Sequence, residues 1–196
     1  MRLIYILSTV LILLTFGCAG VNVKTLQLME EGYNQYVIGD FDKAITYYSE
    51  AIALDPSDPA PYYMRGGSYV EQGQYEKAIE DFKKSIELDS DYGRGYHGLA
   101  SLYATCRIDK YRNGPKALEL ALKAVELEPN AWTYNTLAEA YAENGDFENA
   151  IKYQKISNDR LVALGRDEEL EIHKMHLERY MNKMPWRDDI AKCPRY

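Results

Sequence analysis

The chain has 196 residues, of which 23 are basic and 30 are acidic, so its formal net charge is −7 and its pI is about 5.1. This length is enough for one domain with a sizeable hydrophobic core. An acidic chain without a run of basic residues lacks the positive surface that nucleic acids and anionic membranes attract. We therefore expect no nucleic-acid partner and no membrane contact through surface charge.

The chain begins with an apolar segment. Arg2 is followed by apolar or small residues as far as Phe16, a run too short for a membrane-spanning helix of about 20 residues. A basic start and a short apolar core are typical of a secretory signal. Gly17 and Cys18 follow, and this ending resembles the lipobox of bacterial lipoproteins. The resemblance implies a signal peptide over residues 1–17 and lipidation of Cys18, including palmitate.

One lipobox position departs from the family pattern, because Thr15 stands where the family most often has leucine. An uncleaved anchor and ordinary secretion are the alternatives. Ala19 follows the cysteine in place of the aspartate that retains some lipoproteins at the inner membrane. The resemblance therefore implies an address at the outer membrane, facing the periplasm, with residues 18–24 as a lipidated N-terminus and short tether.

An internal repeat follows this segment. Gly39–Ile45, Gly73–Ile79 and Gly145–Ile151 have closely similar sequences. This pattern, with a spacing of about 34 residues between Ala44 and Ala78, resembles the tetratricopeptide repeat (TPR) family, in which each repeat is a pair of helices. The resemblance implies an all-α fold, a right-handed α-solenoid of about four helix hairpins plus a C-terminal capping helix. Its repeats would span about 25–58, 59–92, 93–130 and 131–164, a TPR domain over residues 25–164.

Small residues recur where the two helices of each hairpin would cross. A larger side chain there would force the helices apart, at a cost of about 1 to 3 kcal/mol. The positions in the first helices are Gly32, Gly66, Ala100 and Ala138, and those in the second helices are Ala44, Ala78, Ala117 and Ala150.

The third repeat is longer than the others, because Ala117 lies farther along the chain from Ala78 than Ala78 does from Ala44. The excess lies within residues 104–115, which resemble a variant repeat of bacterial multi-repeat proteins with an ATC segment, a short loop and YRNG. In that variant the cysteine, here Cys106, is a packing residue. A disulfide between Cys106 and Cys193 is the alternative, since an oxidising compartment would permit it.

A capping helix is predicted after the fourth repeat. The segment 165–184 carries a few apolar side chains among many charges, which is typical of a helix that covers the last apolar face of a solenoid. Residues 185–196 would form an irregular tail. Two histidines of this helix, His173 and His176, lie a turn beyond Glu169 and could hold a divalent metal. We favour a solvent-exposed helix face and predict no metal.

The TPR resemblance also implies a concave groove lined by the first helices. Its apolar and aromatic end would offer tyrosine anchors for a partner peptide, since aromatic residues are frequent binding hot spots. The alternative for each tyrosine is packing between repeats. The groove candidates are Met29, Tyr33, Tyr36, Tyr63, Val70, Arg94, His97, Ser101, Trp132, Asn135 and Glu139, with Leu26, Gly67, Glu71, Thr105 and Glu143 at the remaining groove positions.

Some family members clamp a C-terminal carboxylate with Lys, Asn and Arg at such positions, and here only Arg94 and Asn135 correspond. The chain has no catalytic or cofactor motif, so we predict neither an enzyme nor a cofactor.

The sequence thus predicts a lipid-anchored TPR adaptor for protein partners in the bacterial cell envelope. It would serve in the assembly or scaffolding of an envelope complex, such as an outer-membrane secretin or cell-wall enzymes. A peptidoglycan- or glycan-binding module that uses the aromatic groove is the alternative. The oligomeric state is left open.

Overall fold

The computed structural model describes residues 23–187. Within this range all regular secondary structure is helical, which confirms the predicted all-α fold class. A 3-10 turn, Asp109–Tyr111, separates the fifth and sixth helices. The α-helices of the described range are α1 (Val23–Val37), α2 (Phe41–Leu54), α3 (Pro59–Glu71), α4 (Tyr75–Leu88), α5 (Gly93–Thr105), α6 (Gly114–Leu127), α7 (Ala131–Glu143), α8 (Phe147–Leu164) and α9 (Asp167–Met181).

Several predictions fall outside the described residues: the signal peptide, the lipidation of Cys18 and most of the C-terminal tail. Cys193 also lies outside them, so the Cys106–Cys193 disulfide stays a prediction. The tether was predicted over residues 18–24, but α1 already begins at Val23. The first helix therefore includes the last two residues assigned to the tether.

The helices stack as hairpins. Helices α1 and α2, α3 and α4, α5 and α6, and α7 and α8 form the pairs, and the second helix of each pair packs against the first helix that follows. The first helices α1, α3, α5 and α7 also contact one another in that order. They therefore line up side by side and form one face of the stack, which we call the groove face.

A recurrent turn joins the two helices of a hairpin. Gly39, Gly73 and Gly145 have φ values of 82°, 71° and 79°, a left-handed conformation that glycine adopts without steric cost. At the first turn, the Gly39 N–H donates to the Tyr36 carbonyl and the Asp40 N–H to the Gln35 carbonyl, which is the Schellman pattern at a helix end. The side-chain carboxylates of Asp40 and Asp146 then cap α2 and α8, respectively, because each accepts a hydrogen bond from a backbone N–H in the first turn of the helix. The repeated Gly-Asp pair thus encodes a helix stop and a helix start.

The eight small residues predicted at the helix crossings are all buried. The two glycines among them each face an aromatic ring. A Cβ at Gly32 would lie 2.6 Å from the Tyr48 ring, and one at Gly66 would lie 2.7 Å from the Phe82 ring. The second helix of each of these hairpins can therefore insert a ring where the first helix has no side chain.

The long third repeat has its extra residues in the connection between α5 and α6. Arg112 organises this loop, because its guanidinium donates to the Cys106 carbonyl at 2.8 Å and to Glu143 of α7 at 3.1 Å. The Tyr111 ring packs on Tyr75 at a centroid distance of 5.1 Å. Cys106 itself is buried in the main hydrophobic cluster, with 3% of its surface exposed. Its position is that of a packing residue.

Candidate protein-binding groove

Hydrogen bonds between neighbouring first helices bring the predicted groove residues together. The Tyr36 hydroxyl of α1 donates to Glu71 of α3 at 3.4 Å. The Ser101 hydroxyl of α5 donates to Glu139 of α7 at 3.3 Å. His97 of α5 also lies 3.0 Å from the Thr136 hydroxyl of α7. The groove face is therefore a continuous surface made by successive first helices.

The N-terminal half of this face, formed by α1 and α3, is apolar and partly open. Leu26 and Tyr33 each leave 51% of their surface exposed. Met29, Tyr36, Tyr63 and Val70 are half-buried beside them. This half offers large apolar and aromatic side chains to an outside molecule.

The tyrosines of this half differ in their environment. The Tyr63 ring packs against Phe82 at 6.0 Å and Tyr92 at 6.2 Å, so this side chain contributes to packing between repeats. Burial raises the pKa of Tyr36, and the nearby Glu71 carboxylate adds to the effect. Tyr36 therefore stays protonated and can keep donating to Glu71. Of these three tyrosines, Tyr33 is the exposed one.

The middle of the face holds the counterparts of the family's carboxylate clamp. The Arg94 guanidinium lies 3.8 Å from Glu128. Asn135 is 8% exposed and donates to Glu139 at 2.7 Å. A ligand carboxylate near Asn135 would meet the Glu139 carboxylate directly, which is repulsive. Asn135 is therefore poorly arranged to hold a carboxylate, and the clamp of the family is not reproduced by this pair of residues.

His97 lies next to them and is uncharged near neutral pH. Burial, assisted by the positive charge of Arg94, lowers its pKa to about 4.

The C-terminal half of the groove face is covered. Glu139 is 5% exposed, and helix α9 lies beside it, with His176 Nδ1 3.6 Å from Glu139 Oε1. The Trp132 indole N–H of α7 donates to Glu169 of α9 at 2.8 Å. Of the candidates predicted for this half, Asn135 and Glu139 are inside the protein, whereas Trp132 is 40% exposed.

Helix α9 continues the pattern of first helices. The prediction of a capping helix did not include this regularity. A fifth repeat frame of about 34 residues, begun at residue 165, puts Glu169, His173 and His176 at its fifth, ninth and twelfth positions, which line the groove in the other repeats. Extending the repeat frame past residue 164 would have found them. Glu169, His173 and His176 therefore lie at the positions of α9 that correspond to the groove-lining positions of the other first helices.

The prediction of a solvent-exposed helix face for the two histidines was wrong. His173 is 7% exposed and His176 is 4% exposed. The Ser157 hydroxyl lies 2.8 Å from His173 Nδ1. Desolvation lowers the pKa of His173 to about 4 and holds the pKa of His176 well below its usual range, so both imidazoles are neutral at pH 7.

The segment after α9, which includes the start of the predicted irregular tail, returns to the groove face. The Arg179 guanidinium donates to the Pro185 carbonyl at 3.1 Å and 3.2 Å. The Trp186 ring packs over the His176 ring with a distance of 3.8 Å between the ring centroids, and only 9% of the surface of Trp186 is exposed. Arg187 Nη2 lies 2.5 Å from Glu143 Oε2. This segment closes the C-terminal end of the groove.

Comparison with known protein families agrees with this architecture. The family described as TPR repeat matches residues 32–69 and 66–105, and the one described as tetratricopeptide repeat matches residues 133–155. The chain contains tetratricopeptide repeats. The matched ranges leave out residues 106–132, which contain the long third-repeat loop.

Curated proteins match part of this chain. Small glutamine-rich tetratricopeptide repeat-containing protein 2 of Mycosarcoma maydis is 31% identical over 108 residues, which are 55% of this chain and 29% of that protein. The Hsp70-Hsp90 organising protein of Plasmodium falciparum is 23% identical over 165 residues, which are 84% of this chain and 62% of that protein. This chain thus spans less than two thirds of either relative.

Solved structures of other proteins show the same fold. PilW, a type IV pilus biogenesis factor, superposes with a TM-score of 0.64 at 17% identity, over 83% of this chain and 77% of PilW. The first TPR of Spaghetti (RPAP3), solved with an HSP90 peptide, superposes with a TM-score of 0.52 at 25% identity, over 63% of this chain and 95% of that one.

Two further observations concern the described residues, 23–187. None of the helices in this range combines the length and the hydropathy needed to cross a membrane. Across the same residues, His, Cys, Asp and Glu side chains do not gather in groups of three or more that could hold a metal ion.

Proposed function

We propose that this protein is a binding adaptor, not an enzyme, and that the N-terminal half of its groove face takes a segment of a partner protein. The observation that carries the proposal is the exposure of Leu26 and Tyr33, each 51%, on a face where Met29, Tyr36 and Tyr63 lie beside them. Burying such side chains is favourable by about 25 cal/mol per Å² of apolar surface. The Spaghetti TPR, 25% identical, has an HSP90 peptide bound in its structure, which supports peptide binding by a domain of this kind.

The arrangement of charges limits the kind of partner segment that the groove face can bind. Asn135 is buried against Glu139, so it is not placed to bind a terminal carboxylate, and the exposed Arg94 would have to bind one without it. We expect apolar and aromatic side chains of the partner to provide most of the affinity. A segment that depends on a terminal carboxylate should bind weakly.

The experiment is affinity capture after brief crosslinking in cells, with the intact chain compared with a Leu26→Ala, Tyr33→Ala variant. These two side chains are exposed, so their loss should leave the fold intact. Leu122→Ala is the matched control, because Leu122 is 46% exposed on α6, a second helix. A partner captured by the intact chain and the control, and absent from the double variant, supports the proposal. The same partners with all three proteins would contradict it.

We further propose that Cys18 anchors the domain by lipid at the outer membrane, facing the periplasm, as the lipobox resemblance implies. The described part of α1 begins at Val23, five residues after Cys18, and five residues can span at most about 18 Å, so the helix would start within that distance of the lipidated residue. The groove would then act close to the membrane, in the assembly or scaffolding of an envelope complex. Metabolic labelling with palmitate that persists in Cys18→Ala would contradict this.

Membrane separation would test the compartment. We expect the palmitate-labelled chain in the outer-membrane fraction, accessible to protease only after the outer membrane is opened. Binding to purified sacculi without any other protein would instead favour the glycan-binding alternative.

A further inference from the structure

We infer that the C-terminal end of the groove face, between α7 and α9, is a binding site for an aromatic residue followed by arginine. Trp186 and Arg187 occupy this site within the chain, and a partner protein with the same pair of side chains would compete for it. The site is separate from the open N-terminal half, so the inference does not depend on the function proposed above.

The aromatic part of the site is built from α9. The Trp186 ring lies 3.8 Å from the His176 ring, with an angle of 31° between their planes. The Arg179 guanidinium lies 6.0 Å from the centre of the same indole, within reach of a cation–π contact. Trp186 keeps only 9% of its surface exposed, so the site encloses an indole almost completely.

The arginine part of the site is Glu143, at the last groove position of α7. Arg187 Nη2 lies 2.5 Å from Glu143 Oε2, and Arg112 donates to Glu143 Oε1 at 3.1 Å. The Glu143 side chain is 13% exposed and that of Arg187 is 30% exposed. A carboxylate in this position is largely shielded from water, so it favours a cation strongly.

The segment reaches the site through a sharp reversal of the chain. Lys183 has a φ of 53°, a left-handed conformation that is uncommon for a residue with a side chain. The Lys183 N–H donates to the Tyr180 carbonyl at 3.0 Å and the Met184 N–H to the Arg179 carbonyl at 2.9 Å, which ends α9 in a Schellman turn. The chain therefore leaves α9 and returns to the groove within a few residues.

The occupying segment leaves hydrogen-bonding groups of the site unused. His176 Nδ1, on the ring that Trp186 covers, and Glu143 Oε2 are buried and make no hydrogen bond among the described residues, although Arg187 Nη2 lies 2.5 Å from Glu143 Oε2. Buried polar atoms of this kind are costly when unpaired. A partner segment that adds a donor beside the aromatic side chain would satisfy a group that Trp186 does not. An outside segment could therefore displace the chain's own.

The test uses an acetylated, amidated and fluorescently labelled peptide with the sequence of Lys183–Arg187, titrated against the full chain in detergent. The intact chain should bind it weakly, because the covalent segment competes at an effective concentration in the millimolar range. A Trp186→Ala, Arg187→Ala variant should bind it about tenfold more tightly. Adding Glu143→Gln should weaken that binding about tenfold, since the arginine loses its partner, whereas adding Glu71→Gln in the open half should change nothing.

Equal affinity of the peptide for the intact chain and the double variant overturns the inference. So does an affinity that Glu143→Gln leaves unchanged. A double variant that is folded but does not bind the peptide also overturns it. Circular dichroism checks the fold. If the double variant fails to fold, Arg187→Ala alone replaces it, with tighter binding still expected. Self-association of the intact chain that Trp186→Ala abolishes would identify a second copy as the occupant and overturn the assignment to another protein.

Discussion

The ring of Phe82 fills the space that Gly98 leaves on the neighbouring repeat. A Cβ at Gly98 would lie 2.6 Å from Phe82 Cε1, and a Cβ at Gly66, within Phe82's own hairpin, would lie 2.7 Å from the same atom. One ring from α4 thus inserts between α3 and α5, the first helices of the second and third repeats. Contacts of this kind fix the spacing of neighbouring first helices and therefore the shape of the groove face.

The first prediction concerns this ring. Gly98→Ala should lower the free energy of unfolding by about 1 to 3 kcal/mol, because the new methyl group overlaps Phe82 and the packed helices must move apart. Gly67→Ala is the control, since a Cβ there meets nothing within 4 Å. The control should be neutral or up to about 1 kcal/mol more stable, because alanine favours the helix. Urea unfolding followed by circular dichroism measures the stability of both variants. Equal stabilities would show that the helices around Phe82 can move apart without cost.

A buried ion pair gives the second prediction. Arg65 binds both carboxylate oxygens of Asp81 at 2.8 Å and also donates to Ser49 at 3.0 Å, so it joins α2, α3 and α4. Asp81 is 6% exposed. Asp81→Ala should cost about 3 to 5 kcal/mol, because it leaves the guanidinium buried without its counter-charge.

The matched control for this pair is Glu87→Ala. Glu87 pairs with Lys84 at 2.8 Å, but its side chain is 71% exposed. Loss of a surface pair costs at most about 1 kcal/mol. Chemical denaturation of both variants should separate them clearly, and a similar small loss for both would mean that Arg65 finds another partner.

The third-repeat loop provides the third prediction. Arg112→Ala removes the donors to the Cys106 carbonyl and to Glu143 of the next repeat. We expect a loss of about 2 kcal/mol, and earlier proteolysis at residues 106–113, because the loop loses the side chain that organises it. Lys116→Ala, which breaks a surface pair with Glu119, should behave like the intact chain. An unchanged cleavage pattern in Arg112→Ala would contradict this.

The fourth prediction concerns pH. Burial lowers the pKa of His173 from 6.5 to about 4, so the unfolded chain binds the proton more strongly than the folded one. The stability that neutral His173 contributes is therefore complete above pH 6.5 and is lost as the pH falls toward 4. At pH 5.5 the loss is about 1 kcal/mol.

His173→Gln tests this contribution, because glutamine can still bond to Ser157 but does not titrate. Urea unfolding at pH 7.5 and pH 5.5 should show a smaller loss of stability for the variant than for the intact chain. Identical losses would mean that other groups carry the acid sensitivity. His97 and His176, whose pKa values are also lowered, should contribute to the acid sensitivity that persists in the variant.

The fold could be predicted from the sequence because the signals that specify a repeat are local. Gly39 and Asp40 stop one helix and start the next, and Ala44 fits the crossing of the same hairpin, all within a short segment. A period of about 34 residues then implies that each hairpin packs on a similar one. Length, periodicity and turn residues were therefore sufficient for an all-helical solenoid.

The state of the groove could not be predicted in the same way. The sequence placed Tyr33 and Glu139 at equivalent positions of the frame, yet Tyr33 is 51% exposed and Glu139 is 5% exposed. The difference comes from α9, whose His176 lies beside Glu139, while α1 has no described repeat before it. Exposure depends on what covers a position, and the repeat pattern does not contain that information.

The sequence by itself thus determined the repeats and their hairpins, because short-range turns and a fixed period specify them. Only the tertiary structure decided that the groove is open at one end and closed at the other. The closure depends on Trp186 reaching His176 and on Arg187 reaching Glu143, which belongs to the preceding repeat. The repeat period does not predict where Trp186 and Arg187 lie, and their contacts exist only once the solenoid has brought α7 and α9 together.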